Sequence, residues 1–73
     1  MATDKRAAER ELEELLTVMS GLRSKLEAYR NKGDFSGVAR CELALKFDYA
    51  SIRKHCAKHD LKRPYDVPSE GAA

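Results

Sequence analysis

Residues 43–64 read LALKFDYASIRKHCAKHDLKRP, from Leu43 to Pro64. How this stretch divides into elements decides the fold. As the later part of one helix over about residues 36–59, it carries two apolar stripes. Val38, Cys41, Leu45, Tyr49, Ile52 and Cys56 form one, and Ala39, Leu43, Phe47, Ala50, Ala57 and Leu61 form the other on a different side, with charged residues in both gaps. A helix with two apolar faces must bury both, and one neighbouring helix covers only one of them. Either another chain covers the second face or the helix is broken. Asp48 is a good N-cap for a helix beginning at Tyr49, and a break there lets both stripes converge on one core. The sequence therefore predicts helices over about residues 36–46 and 49–60 with a tight turn between them.

Upstream the signal is simpler. Thr3 and Asp4 are capping residues, so a first helix is expected over about residues 4–32. Ala8, Leu12, Leu15, Met19, Leu22, Leu26 and Tyr29 recur in alternating steps of four and three, a sustained heptad stripe. Ser20-Gly21 lies off that stripe, and a Gly there costs about 1 kcal/mol relative to Ala, which predicts a continuous or slightly bent helix. Asn31-Lys32-Gly33-Asp34 is a stop signal, with Gly33 suited to the left-handed residue after a helix. Asp34 and Ser36 compete to cap the next helix, and Phe35 is expected to pack between them and the core.

The expected fold class is all-α: a long N-terminal helix packed on a helix-turn-helix-like pair within residues 1–63, then a flexible, disordered C-terminal tail over 64–73. The tail PYDVPSEGAA has two prolines, a glycine and little that can be buried. A 73-residue chain is one domain at most and is marginal alone unless a partner stabilises it. No apolar run is long enough to span a bilayer and no signal segment opens the chain, so a cytoplasmic location with no membrane partner is expected. Cys41 and Cys56 fit that compartment as free, small apolar residues. Net charge is +2 but uneven: residues 1–22 hold three basic and five acidic side chains, and residues 51–63 hold five basic against Asp60 alone. The basic end points to an anionic partner surface.

Ala50-Ser51-Ile52-Arg53-Lys54-His55 and His59-Asp60-Leu61-Lys62-Arg63-Pro64 resemble the opening and the end of the recognition helix in the helix-turn-helix family of small bacterial and phage transcription regulators. Leu45 would end the first helix and Phe47 would hold the apolar turn position. The resemblance covers about residues 38–64. It departs at Lys46, where the family prefers Gly, and at Glu42, where a small residue lets the helices approach. The resemblance implies DNA binding, with Tyr49, Ser51, Arg53, Lys54 and Lys58 exposed on the recognition helix and Lys58, Lys62 and Arg63 tracking the phosphate backbone. In length and general character the chain also resembles small phage regulators that bind host RNA polymerase, inhibit host transcription and act in antitermination. That likeness implies a bacterial host cytoplasm and a polymerase partner, met by a basic N-terminus (Lys5, Arg6, Arg10) and the basic third helix.

Other chemistries are poorly supplied. His55 and His59 lie one turn apart, but no Cys-x-x-Cys pair accompanies them, and no metal or cofactor is expected. Cysteine-histidine catalysis needs a cleft that a chain of amphipathic helices does not offer, and no Gly-rich phosphate loop is present, so a non-enzymatic protein is expected. The heptad stripe of the first helix has two readings: packing within its own chain as a monomer, or a homodimeric coiled coil through helix 1. In the latter case the chain would be an oligomerisation module.

Overall fold

A computed structural model describes residues 5–69, and the expected Thr3/Asp4 cap lies outside them. Two helices, α1 (Lys5–Lys32) and α2 (Phe35–Lys58), pack side by side as an antiparallel hairpin, and no strand occurs among the described residues. The protein is all-α. No helix of the described residues is long and apolar enough to cross a membrane.

The turn is built from two residues with separate duties. Gly33 adopts φ 72°, where an L side chain would be strained, and closes α1 by donating from its amide to the Arg30 carbonyl at 3.1 Å. The Asp34 amide donates to the Tyr29 carbonyl at 2.9 Å, which completes a Schellman-type end. Asp34 then caps α2: its Oδ1 accepts from the Gly37 amide at 3.0 Å. Asp34 thus wins over Ser36 as the cap. Phe35 does not pack inward; it is 85% exposed at the start of α2.

Gly37 faces α1. A Cβ placed on it would lie 2.5 Å from Tyr29 Cγ and 2.8 Å from Tyr29 Cε1, so the missing side chain is what lets the Tyr29 ring settle against α2. On α1, the stripe from Ala8 to Tyr29 is buried or half-buried at every position, and Ser20-Gly21 passes without a break. On α2, Cys41, Leu45, Ile52 and Cys56 are buried, as the first stripe predicts.

The break at Asp48 is absent. Residues 35–58 form one helix, so the predicted helices over 36–46 and 49–60 are fused and the helix-turn-helix pair does not form. After Gly37 the segment contains no Gly or Pro. An Asp inside a helix costs a few tenths of a kcal/mol, whereas a break leaves up to eight backbone groups without intrahelical partners. The expectation assumed that both apolar stripes are buried within the chain. Instead the second stays outside except at Leu61: Leu43 is 56% and Phe47 65% exposed, and Ala39, Ala50 and Ala57 are exposed beside them.

The C-terminal segment also differs from expectation. α2 ends with Asp60 at φ 54° and the Leu61 amide donating to the Cys56 carbonyl at 2.8 Å. The chain then folds back on the hairpin rather than trailing away as a disordered tail. Val67 is fully buried and joins Met19, Leu45, Ile52 and Cys56 in the core, with Leu61 packed against them. A turn closed by the Val67 amide on the Pro64 carbonyl at 3.1 Å aims that side chain inward. The remaining tail positions, 70–73, lie outside the described residues.

Candidate functional site

At 100° per residue, Ala39, Leu43, Phe47, Ala50, Lys54 and Ala57 line one narrow strip of α2, on the side away from Leu45 and Ile52. Lys46 and Arg53 border it on one side, Arg40 and Lys58 on the other. Arg40, Lys46, Lys54 and Lys58 are exposed; Arg53 is half-buried. Glu42 is the acidic residue nearest the strip. Toward its C-terminal end, Ala50, Arg53, Lys54 and Ala57 line a shallow concavity. The result is an apolar ridge with a basic rim.

The residues expected from the sequence to bind a target separate into three groups. Ser51, Lys54 and Lys58 are exposed along the same side of α2. Tyr49 is half-buried, and its hydroxyl accepts from Arg23 Nη2 at 3.0 Å and Arg23 Nε at 3.2 Å. Arg53 and Arg63 are engaged by the tail: Arg53 Nη1 donates to the Pro68 carbonyl at 2.9 Å, and Arg63 Nη1 to the Val67 carbonyl. The third group is a basic end. The antiparallel register sets the first turns of α1 against the last turns of α2, as the 2.7 Å contact of His55 Nε2 with the Ala8 carbonyl shows. Lys5, Arg6 and Arg10 therefore lie at the same end of the hairpin as Lys58 and Lys62, and all five are exposed.

Arg23 organises the tail. Besides Tyr49 it contacts Asp66 twice, through Nη1 to Oδ2 at 2.9 Å and through Nη2 to the backbone carbonyl at 2.8 Å. The hydrogen bonds to Tyr49, and then those to Asp66, raise its pKa above the ordinary arginine value.

A second cluster sits near the basic end. Glu11, His55 and His59 each offer a ligand-type atom, and these atoms all lie within 4.8 Å of one another. The His55 and His59 ring centroids are 4.6 Å apart. His55 Nδ1 stands 3.6 Å from Glu11 Oε2, and His59 Nδ1 is buried without a hydrogen-bond partner. Cys56 stays apart from this cluster; its Sγ points to the Lys62 carbonyl at 3.9 Å. Burial pushes the Cys56 thiol pKa up, which makes it a poor source of thiolate.

The chain matches no protein-family model, no curated protein and no solved structure.

Sequence reasoning singled out neither Glu11 nor Arg23, and both left a signal. Reflecting Glu11 about the Gly33-Asp34 turn lands it beside Cys56, one position from His55. Arg23 is a charged residue at the edge of the α1 apolar stripe, next to Leu22 and one turn from Met19 and Leu26. A long cation at such a place reaches along the seam for a partner.

Proposed function

We propose that the chain is a small transcription regulator that acts by binding a partner protein, bacterial RNA polymerase, through the outer face of α2. The observation that carries this reading is the continuity of α2, which leaves Leu43 and Phe47 exposed along a row of alanines. Apolar area laid in a line on a helix and bordered by charge is the form in which an amphipathic helix docks into a partner's groove. The rim is basic, so the complementary groove is apolar at its centre and acidic at its edges. A second copy offering the same face would set like charges against one another, which favours a different protein as the partner. Polymerase is named because of the likeness in length and general character to small phage regulators that inhibit or redirect host transcription.

A second reading has its own supporting observation. Lys5, Arg6, Arg10, Lys58 and Lys62 gather at one end of the hairpin, which suits contact with the phosphate backbone of DNA. Sequence-specific reading by a separate recognition helix has no such helix to use.

Labelled chain titrated with purified bacterial RNA polymerase, beside a mobility-shift assay on random duplex DNA, tests both. The proposal expects saturable polymerase binding that falls as salt rises and is lost in the double variant Leu43→Glu, Phe47→Glu. Polymerase binding unchanged in that variant, or absent from the parent chain, overturns it. A duplex shift abolished by Arg10→Ala with Lys58→Ala and Lys62→Ala, without polymerase binding, establishes the second reading. A dimeric mass in light scattering that the same Leu43/Phe47 variant reduces to monomer would make the face a self-association surface instead.

A further inference from the structure

We propose that Glu11, His55 and His59 form a binding site for a divalent transition-metal ion, zinc in the first instance, which ties the first turns of α1 to the last turns of α2. The argument starts from the tautomer of His55. Its Nε2 lies 2.7 Å from the Ala8 carbonyl oxygen, which can only accept, so Nε2 carries a hydrogen and donates it. In the neutral ring Nδ1 then holds a bare lone pair, and that lone pair faces Glu11 Oε2 at 3.6 Å. The two acceptor atoms are too far apart for a hydrogen bond and close enough for one cation to bind both. His59 Nδ1, buried in the same cluster, also lacks a hydrogen-bond partner. A metal ion serves all three residues at once.

The dimensions suit this assignment. A tetrahedral ion with bonds of about 2.0–2.1 Å separates its ligands by about 3.4 Å. The His55–Glu11 pair stands near that spacing at 3.6 Å, and the whole set lies within 4.8 Å, so small side-chain rotations would bring all three atoms onto one ion. His55 and His59 are one helical turn apart, so both rings leave the same side of α2. The Ala8 carbonyl fixes the His55 ring from its far nitrogen, the orienting contact that metal-bound histidines commonly have. The set His, His, carboxylate suits zinc, nickel and copper better than magnesium or calcium, which take all-oxygen shells. Three protein ligands leave a fourth position, and Glu11, with its side chain 63% exposed, opens it to solvent. The bound ion would close the end of the hairpin opposite the Gly33-Asp34 turn, where His55 already bonds the Ala8 carbonyl across the two helices. The inference is independent of the partner assigned above, because these residues lie off the outer strip of α2.

The test is calorimetric titration of chelator-stripped full chain with zinc chloride, repeated on Glu11→Gln, His59→Ala and Cys41→Ser with Cys56→Ser. Circular dichroism checks that each variant keeps its helices, and cobalt(II) serves as a visible probe of geometry. The expected result is one ion per chain, tetrahedral cobalt bands, and a rise in melting temperature on loading. Glu11→Gln and His59→Ala should each weaken binding by at least about tenfold, while the double serine variant binds as the parent does. Any of three results overturns the site: no zinc bound at micromolar concentration, binding indifferent to both Glu11→Gln and His59→Ala, or binding that depends on the cysteines.

Discussion

Arg23 on α1 holds Asp66 in the C-terminal segment through two contacts, to Oδ2 at 2.9 Å and to the backbone carbonyl at 2.8 Å, across 43 positions of sequence. The same guanidinium bonds the Tyr49 hydroxyl on α2, so one side chain joins all three parts of the molecule. The ion pair is about one-third exposed on each side and is therefore worth little by itself. Its consequence is positional: it fixes the segment from which Val67 enters the core.

Val67→Ala should cost about 1–3 kcal/mol, since it empties a fully buried position beside Ile52. In a domain of this size that lowers the melting temperature by several degrees or more. Arg23→Ala should cost less, about 1 kcal/mol, and should abolish the slow hydrogen exchange expected of the Val67 amide. Thermal melts and amide exchange check both. If the segment trails away in solution, Val67→Ala does not shift the melt.

Two glycines should respond in opposite directions to the same substitution. Gly37→Ala drives a methyl group into the root of the Tyr29 ring, which cannot swing clear as the end of a flexible side chain could. Overpacking of that kind costs about 1–3 kcal/mol, more than the helix propensity gained. Gly21→Ala meets nothing within 4 Å on the exposed side of α1 and should stabilise by up to about 1 kcal/mol. Denaturant midpoints of the two variants, one below and one above the parent, are the measurement.

Asp60 occupies the left-handed region at φ 54°, where α2 ends. Asp60→Gly should remove about 1 kcal/mol of backbone strain, partly offset by the greater freedom of glycine in the unfolded chain. A small rise in melting temperature is the expected outcome. The paired variant Gly33→Ala, at φ 72° in the other helix end, should lower it.

The two stripes of α2 were legible in the sequence, and so were the α1 stripe and the Gly33-Asp34 stop. What misled was an assumption about burial. Leu43 and Phe47 are apolar, and a self-contained chain would bury them; the break at Asp48 followed from requiring that it does. Periodicity registers which residues share a side, but not whether that side meets protein or solvent. The fit of Gly37 to Tyr29 and the entry of Val67 into the core are contacts between distant positions, which no local pattern encodes. Glu11 became visible beside the two histidines only once the hairpin fixed the register. In the sequence His55 and His59 lie one turn apart without an accompanying Cys-x-x-Cys pair, and the distant Glu11 leaves no local signal beside them.

Asp48 provides a pH-dependent test of the unbroken helix. Its carboxyl sits midway along α2, part-buried, with Oδ2 lacking a hydrogen-bond partner, and burial raises its pKa from the ordinary 3.8. A group whose folded-state pKa is raised binds its proton more tightly in the folded than in the unfolded chain. Its contribution to stability is therefore fully present below about pH 3.8 and is lost as pH rises through the raised folded value. At neutral pH the ionised carboxylate destabilises the fold. Asp48→Asn keeps the shape and removes the charge, so the variant should be more stable than the parent at pH 7. That advantage should shrink as pH falls into the carboxylate range and vanish below it, which parallel urea melts from pH 3 to pH 7 would record. If α2 were instead broken with Asp48 capping a new helix, its carboxylate would accept backbone amide hydrogen bonds. The substitution would then destabilise at neutral pH, because the amide is a weaker partner for the helix dipole than the charged group it replaces.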